Sequence, residues 1–271
     1  MRNHPTAFFL MFFCACFFML ASPSLLFATR HETGFLNRTI TVNGVLYRYQ
    51  VFVPENWDQR KPWPVILFLH GAGERGDDGF AQTAFGLPQA IRLHAADFPF
   101  VVVMPQCRKD KRWPDPDMEA QVFAALDRTM KEFHGDPDRV YLTGLSMGGF
   151  GALAFGAFHP GKFAAVVPVC GGIKPIEQWP PLWRQAALDA NATDPYAETA
   201  RRLGKTPIWL FHGDADPRVP VEQSRKMHAA LQDAGGNVKY TEYPGVDHNS
   251  WDKAYAEPDL VPWLLAHHLK P

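Results

Sequence analysis

Gly144-Leu145-Ser146-Met147-Gly148 decides the fold of this chain. Val140-Tyr141-Leu142-Thr143 precedes it as a short apolar run of strand character. Residues 147–158 follow, rich in Ala, Gly and Phe as a helix buried against a sheet would be. A serine at the centre of G-x-S-x-G between a strand and a helix is the pattern of a nucleophile elbow. The glycines have a physical reason. So sharp a turn holds the central serine in strained backbone angles, and neighbouring Cβ atoms would collide with it. The turn lifts the Ser146 hydroxyl off the sheet and aims the free N–H groups of the helix start at the same point.

Outward from the elbow, the chain alternates strands and helices. Residues 65–69, 100–104 and 164–169 are continuous apolar runs, the mark of strands buried on both faces. Residues 208–211 form a shorter member of the set, and 238–243 close it. Upstream, 36–42 and 45–53 flank Asn43-Gly44, a strong hairpin signal. Helical patterns fall at 117–133, 147–158, 221–234 and 252–269. An antiparallel hairpin followed by strand–helix units predicts an α/β fold. Its sheet is mostly parallel and eight-stranded, with helices on both faces. No internal repeat or second domain is visible. Residues 170–205 form the one long irregular connection, a place for a local cap.

With 271 residues, 46% of them hydrophobic and 20% charged, the chain is too apolar for a disordered protein. Lys plus Arg is 27 and Asp plus Glu 28, a formal charge of −1, so nothing points to a nucleic-acid partner. Residues 7–21 carry no polar or charged side chain and follow Arg2 and His4. The run is shorter than the ~20 residues of a membrane span, and Ala28 closes a small-residue exit. Residues 1–28 therefore read as a signal peptide and 29–271 as a single domain, secreted or periplasmic, with no stable membrane insertion after cleavage. An uncleaved anchor is the alternative. Cys107 and Cys170 remain beyond that segment, and a disulfide or two buried thiols both fit them. Asn37-Arg38-Thr39 and Asn191-Ala192-Thr193 have the glycosylation spacing. No feature sets an oligomeric state.

A serine hydroxyl needs a base, and the partners follow the elbow in the order acid, then His. His248, in Gly245-Val246-Asp247-His248-Asn249 just past the last strand, stands in the right place. His228 falls inside a helix, His267 and His268 in the terminal one, and His159 at the end of the helix after the elbow. The acid belongs after the strand at 208–211, where Asp214 and Asp216 both qualify. Asp216 is chosen because Asp214 suits a turn-holding role, and Asp247 adjoins His248 too closely. The oxyanion hole takes one N–H from Met147 and one from the loop His70-Gly71-Ala72-Gly73-Glu74-Arg75-Gly76, with Ala72 first and Gly73 second. Gln106, Trp113, Trp179, Trp183 and Trp251 lie on connections above the sheet and are substrate contacts on this reading, with local packing as the bland alternative.

The same loop spells G-x-G-x-x-G. A dinucleotide site would need the glycines to run straight into a helix and an acid at the end of the next strand. Here Asp77-Asp78-Gly79 continues the loop and Asp97 precedes its strand, so no nucleotide cofactor is expected. No H-E-x-x-H or paired-Cys motif calls for a metal.

Three motifs, HGAGERG at 70–76, GLSMGG at 144–149, and HGDADPRVP at 212–220 with GVDH at 245–248, make residues 36–268 resemble the α/β-hydrolase superfamily. Within it the chain is similar to secreted carboxylesterases and "predicted peptidase" relatives near the polyhydroxybutyrate depolymerase and feruloyl or acetylxylan esterase groups. The resemblance implies Ser146 as nucleophile, Asp216 as acid, His248 as base, and Ala72 and Met147 as the hole. It implies a small or polysaccharide-linked ester as substrate, cleaved through an acyl-enzyme. A serine peptidase of the same fold is the alternative, for which a propeller-like partner domain is expected and this length leaves no room. A binding protein on the same scaffold is disfavoured because every triad position is filled.

Overall fold

The computed structural model describes residues 1, 32–96, 98–176 and 192–269. Residues 1–31 and 32–271 separate as two units, and all that follows concerns the second. The expected signal segment, Trp179, Trp183 and Asn191 lie outside the described residues. Among those described, no helix is long and apolar enough to cross a membrane.

The hairpin forms from β1 (Gly34–Val42) and β2 (Val45–Val53). Asn43 and Gly44 turn it at φ 51° and 79°, both in the left-handed region that a two-residue hairpin loop requires. The continuous apolar runs become β3 (Trp63–Leu69), β4 (Val101–Pro105) and β6 (Ala165–Val169), every residue of them buried. β5 (Gly135–Leu145), β7 (Ile208–Gly213) and β8 (Val238–Tyr243) complete one eight-stranded sheet, ordered β1-β2-β4-β3-β5-β6-β7-β8. The β1/β2 and β2/β4 pairs are antiparallel and the rest parallel.

Side chains alternate across this sheet. Val65, Leu67 and Leu69 face a layer of α2 (Pro116–Glu132), α3 (Met147–Phe158), α4 (Pro195–Leu203) and α5 (Glu222–Asp233). Ile66 and Phe68 face α1 (Leu87–Leu93), α6 (Trp251–Tyr255) and α7 (Leu260–Leu265). Three elements differ from the sequence expectation. α1 falls where no helix is expected. α4 occupies the connection at 170–205, opened by Asp194, whose carboxylate accepts the N–H groups of Tyr196 and Ala197. The single helix expected at 252–269 is two short ones, broken at Pro258, while Pro262 sits in the first turn of α7, where its missing N–H costs no helical bond.

The parallel register aligns the carboxyl ends of the central strands. Leu69 pairs with Gly144, Leu145 with Val169, Val169 with Phe211, and Gly213 with Tyr243. The loops that leave these ends therefore meet at one edge of the sheet, where open α/β sheets bind ligands.

Candidate active site

Ser146 sits between β5 and α3 at φ 53° and ψ −116°, a conformation an L-residue holds only under constraint. Its N–H donates to the Val169 carbonyl at 2.9 Å, which ties the elbow to the neighbouring strand. The flanking glycines are forced. A Cβ on Gly148 would run into the Leu69 carbonyl and lie 2.8 Å from the His70 carbonyl oxygen, and one on Gly144 would press on the Gly148 backbone. Without those Cβ atoms α3 starts hard against the end of β3, beside the loop at 70–76.

From the elbow a chain of hydrogen bonds runs through three loops. The Ser146 Oγ lies 2.9 Å from His248 Nε2, and His248 Nδ1 lies 2.7 Å from Asp216 Oδ2. A carboxylate only accepts, so Nδ1 carries the proton and Nε2 is left with its lone pair toward the hydroxyl. That is the tautomer a general base needs. Asp216 has a fully buried side chain. Burial alone would raise its carboxyl, but hydrogen bonds from His212 and His248 and the backbone outweigh that and hold it below the ordinary carboxylate range. Asp214 instead accepts the Gly245 N–H at 2.6 Å, joining the loops after β7 and β8.

Met147 is the first residue of α3, and its N–H has no acceptor within the helix. Ala72 opens a short 3₁₀ turn, Ala72–Glu74, that lines the same cleft as Ser146. His70 sets the direction of this turn. Its Nε2 accepts the Cys107 N–H at 3.0 Å, so its proton sits on Nδ1, which donates to the Gly71 carbonyl at 2.6 Å. In a trans peptide the next N–H points opposite to that carbonyl. With the Gly71 oxygen drawn toward the buried ring, the Ala72 N–H faces away from that ring. Burial pushes the His70 imidazole down from 6.5 to about 4, outweighing the Gly71 hydrogen bond, so the ring is neutral at physiological pH.

Ser146, His248 and Trp251 share a cleft of about 280 Å³ with Ala72, Glu74, Phe85 and Arg218. Trp251 stands edge-on to the His248 ring, centroids 5.4 Å apart at 87°, and its Nε1 has no partner among the described residues. Two other expected substrate contacts are corrected. Gln106 is 2% exposed: its Nε2 donates to the Glu74 carbonyl at 3.1 Å and its Oε1 accepts the Gly79 N–H at 2.8 Å. Trp113 is fully buried and donates its Nε1–H to the His70 carbonyl at 3.1 Å. Both are spent on holding the 70–79 loop from behind. The buried backbone of that loop needs partners, and these side chains supply them. Sequence reasoning passes over His70, His212, Glu74, Phe85 and Arg218. The signal for the two histidines is a His-Gly pair at the carboxyl end of each strand, just after β3 and as the last two residues of β7. Cys107 and Cys170 are both buried free thiols. Burial pushes both thiols well up, which leaves them protonated and unreactive. Among the described residues no cluster suited to a metal ion occurs.

Residues 109–268 match the model of the prolyl oligopeptidase family. The crystal structure of a thermostable esterase is 31% identical with a TM-score of 0.69, covering 86% of this chain and 63% of that one. Acyl-protein thioesterase 1 of Gibberella zeae is 32% identical over half of each chain. The structure of a ferulic acid esterase, 20% identical with a TM-score of 0.64 over 85% of this chain and 97% of the other, shares the fold. The chain spans 22%, 50% and 32% of the length of the first three curated relatives that it matches.

Proposed function

The chain belongs to the prolyl oligopeptidase family of α/β-hydrolase enzymes, and on that premise we propose that it is an exported serine carboxylesterase acting on small or polysaccharide-linked esters of the feruloyl or acetyl type. The observation that carries the reading is the unbroken hydrogen-bond chain from Ser146 through His248 to the buried Asp216, at 2.9 and 2.7 Å.

The reaction runs in two steps. Ser146 Oγ attacks the ester carbonyl carbon while His248 Nε2 takes the hydroxyl proton, and Asp216 stabilises the imidazolium that results. The carbonyl π electrons move to oxygen, and the Ala72 and Met147 N–H groups accept the charge as hydrogen-bond donors. As the carbonyl re-forms, the C–O bond to the alcohol breaks and the alcohol leaves with the proton from His248. Water then attacks the acyl-enzyme, gives its proton to His248, and the acid departs as Ser146 takes that proton back. His248 must be unprotonated at Nε2 to take the hydroxyl proton. Trp251 offers a flat apolar wall beside the base, suited to an aromatic acyl group or a sugar ring.

The test is turnover of p-nitrophenyl acetate by the wild type and by Ser146→Ala, then of methyl ferulate, acetylated xylan and peptide amides. Esters should be cleaved and amides spared, and Ser146→Ala should lose about 10⁴- to 10⁶-fold in kcat. Amides cleaved faster than esters would make the protein a peptidase. No turnover by the wild type would leave a binding protein on a hydrolase scaffold.

A further inference from the structure

The hydrogen-bond chain does not end at Asp216. His212, the penultimate residue of β7, is fully buried. Its Nδ1 lies 2.7 Å from Ser224 Oγ on α5, and its Nε2 lies 3.2 Å from Asp216 Oδ2 and 3.0 Å from the Val219 carbonyl oxygen. Both neighbours of Nε2 only accept, so Nε2 carries a proton, and the Ser224 hydroxyl donates to Nδ1. The oxygen that takes the His248 proton is therefore the oxygen that takes the His212 proton. The other oxygen, Oδ1, accepts the N–H groups of Arg218 at 2.8 Å and Val219 at 3.0 Å. Those two backbone bonds already fix the plane of the carboxylate. His212 is left with a different effect, on the charge that Oδ2 offers to His248.

We infer that His212 is a second imidazole on the catalytic acid, a positioning residue that draws charge from Asp216 Oδ2 and so sets the pH at which His248 is free to act as base. Its functional meaning rests on the hydrolase reading of the site. A hydrogen bond donated to a carboxylate stabilises the anion and weakens its pull on any other proton. With His212 donating, the His248 imidazolium faces a partly compensated anion. Without it, the same imidazolium faces a stronger one and keeps its proton to higher pH.

Other groups around the pair do not substitute for this donor. Ser224 is spent on the far side of the ring. Glu242 pairs across the sheet with His212, but it is an acceptor, held by Arg225 at 2.6 Å. The Cys170 thiol, at the end of β6, is kept protonated by burial.

His212→Leu keeps bulk and removes the donor, and His212→Gln restores a donor near the place of Nε2. In His212→Leu the acid limb of the kcat/KM–pH profile should move up by about half a unit to one unit. The plateau kcat should stay within about threefold of wild type, since a more basic imidazole, once free, is no worse a base. His212→Gln should return the limb toward wild type. An NMR titration of the His248 ring in the same proteins should move by the same amount, and it needs no turnover. A second measurement needs no variant: imidazole ¹⁵N spectra of the wild type should show His212 protonated on Nε2 throughout the pH range of the folded state. A folded His212→Leu whose limb and His248 titration coincide with wild type overturns the inference, and so does a neutral His212 protonated on Nδ1. A protein that hydrolyses no ester, yet shows the His212 proton on Nε2 and the shifted His248 titration, refutes the esterase reading and leaves this one standing.

Discussion

His70 makes the stability of this protein depend on pH in a way that can be isolated. The ring is 1% exposed, and burial lowers its imidazole from 6.5 to about 4. The unfolded chain therefore takes a proton as pH falls through the ordinary range, while the folded chain refuses it until far lower. The unfolded state binds more protons between the two values, so stability is greatest above them and is lost as pH falls. With those two values, linkage gives a loss of about 2 kcal/mol between about pH 7.5 and about pH 5 from this one group. Glu74, raised by burial, adds its own pH dependence, but it is common to a His70→Gln variant and cancels to first order. That variant keeps an acceptor for the Cys107 N–H and removes the titration. Urea unfolding of both proteins at the two pH values gives four free energies. The wild type should lose about 2 kcal/mol more than the variant over the interval, although the variant starts less stable. Equal losses in the two proteins, within about 0.5 kcal/mol, would mean that His70 is not held neutral and that the orientation of the Ala72 N–H needs another cause.

Two substitutions probe the backbone and the acid. Gly148→Ala puts a Cβ into the Leu69 and His70 carbonyls and must part α3 from the end of β3. Stability should fall by about 1–3 kcal/mol, and kcat/KM by on the order of a hundredfold as the donor loop moves relative to Ser146, read by thermal melting and ester turnover. Wild-type kcat/KM in a destabilised Gly148→Ala would show that this contact does not set the site. Asp216→Asn should lose about 10³- to 10⁴-fold in kcat, because an amide no longer selects the His248 tautomer, while Asp214→Asn should lose less than about tenfold. Equal losses would reverse the assignment of the two carboxylates.

How much of this is legible in the sequence depends on whether a feature is local. The elbow at 144–148 is a demand on backbone angles at successive residues, and glycine spacing records it. The buried strands are legible because two covered faces leave no place for polar alternation in Val65–Leu69 or Val101–Met104. α1 is not, since seven residues show too little of a helical period to separate from a loop. Gln106 and Trp113 show the harder limit. Their place after a strand end is readable, but the direction of a side chain is not. The 105–113 segment turns back beneath the 70–79 loop, and the two side chains end in its backbone rather than in the cleft. Trp251, the first residue of α6, faces the cleft.

His70 and His212 show what the motifs encode beyond the triad. A His-Gly pair follows β3 and another closes β7, and both imidazoles are buried, yet their tautomers are opposite. His70 meets a donor at Nε2 and so donates from Nδ1 to a carbonyl. His212 meets acceptors at Nε2 and so donates from there to a carboxylate. Imidazole suits both places because it offers a donor and an acceptor in one rigid plane, at positions that a backbone group cannot reach. The glycine after each is dictated by crowding. A Cβ on Gly71 would sit 2.9 Å from Leu145 Cδ1, and one on Gly213 would lie 2.6 Å from the Asp247 carbonyl oxygen, next to the base. On the proposed mechanism, one His-Gly turns the Gly71–Ala72 peptide that serves the oxyanion, and the other tempers the charge on Asp216. Neither ring needs to touch the substrate, which is why a search for residues that do chemistry passes over both.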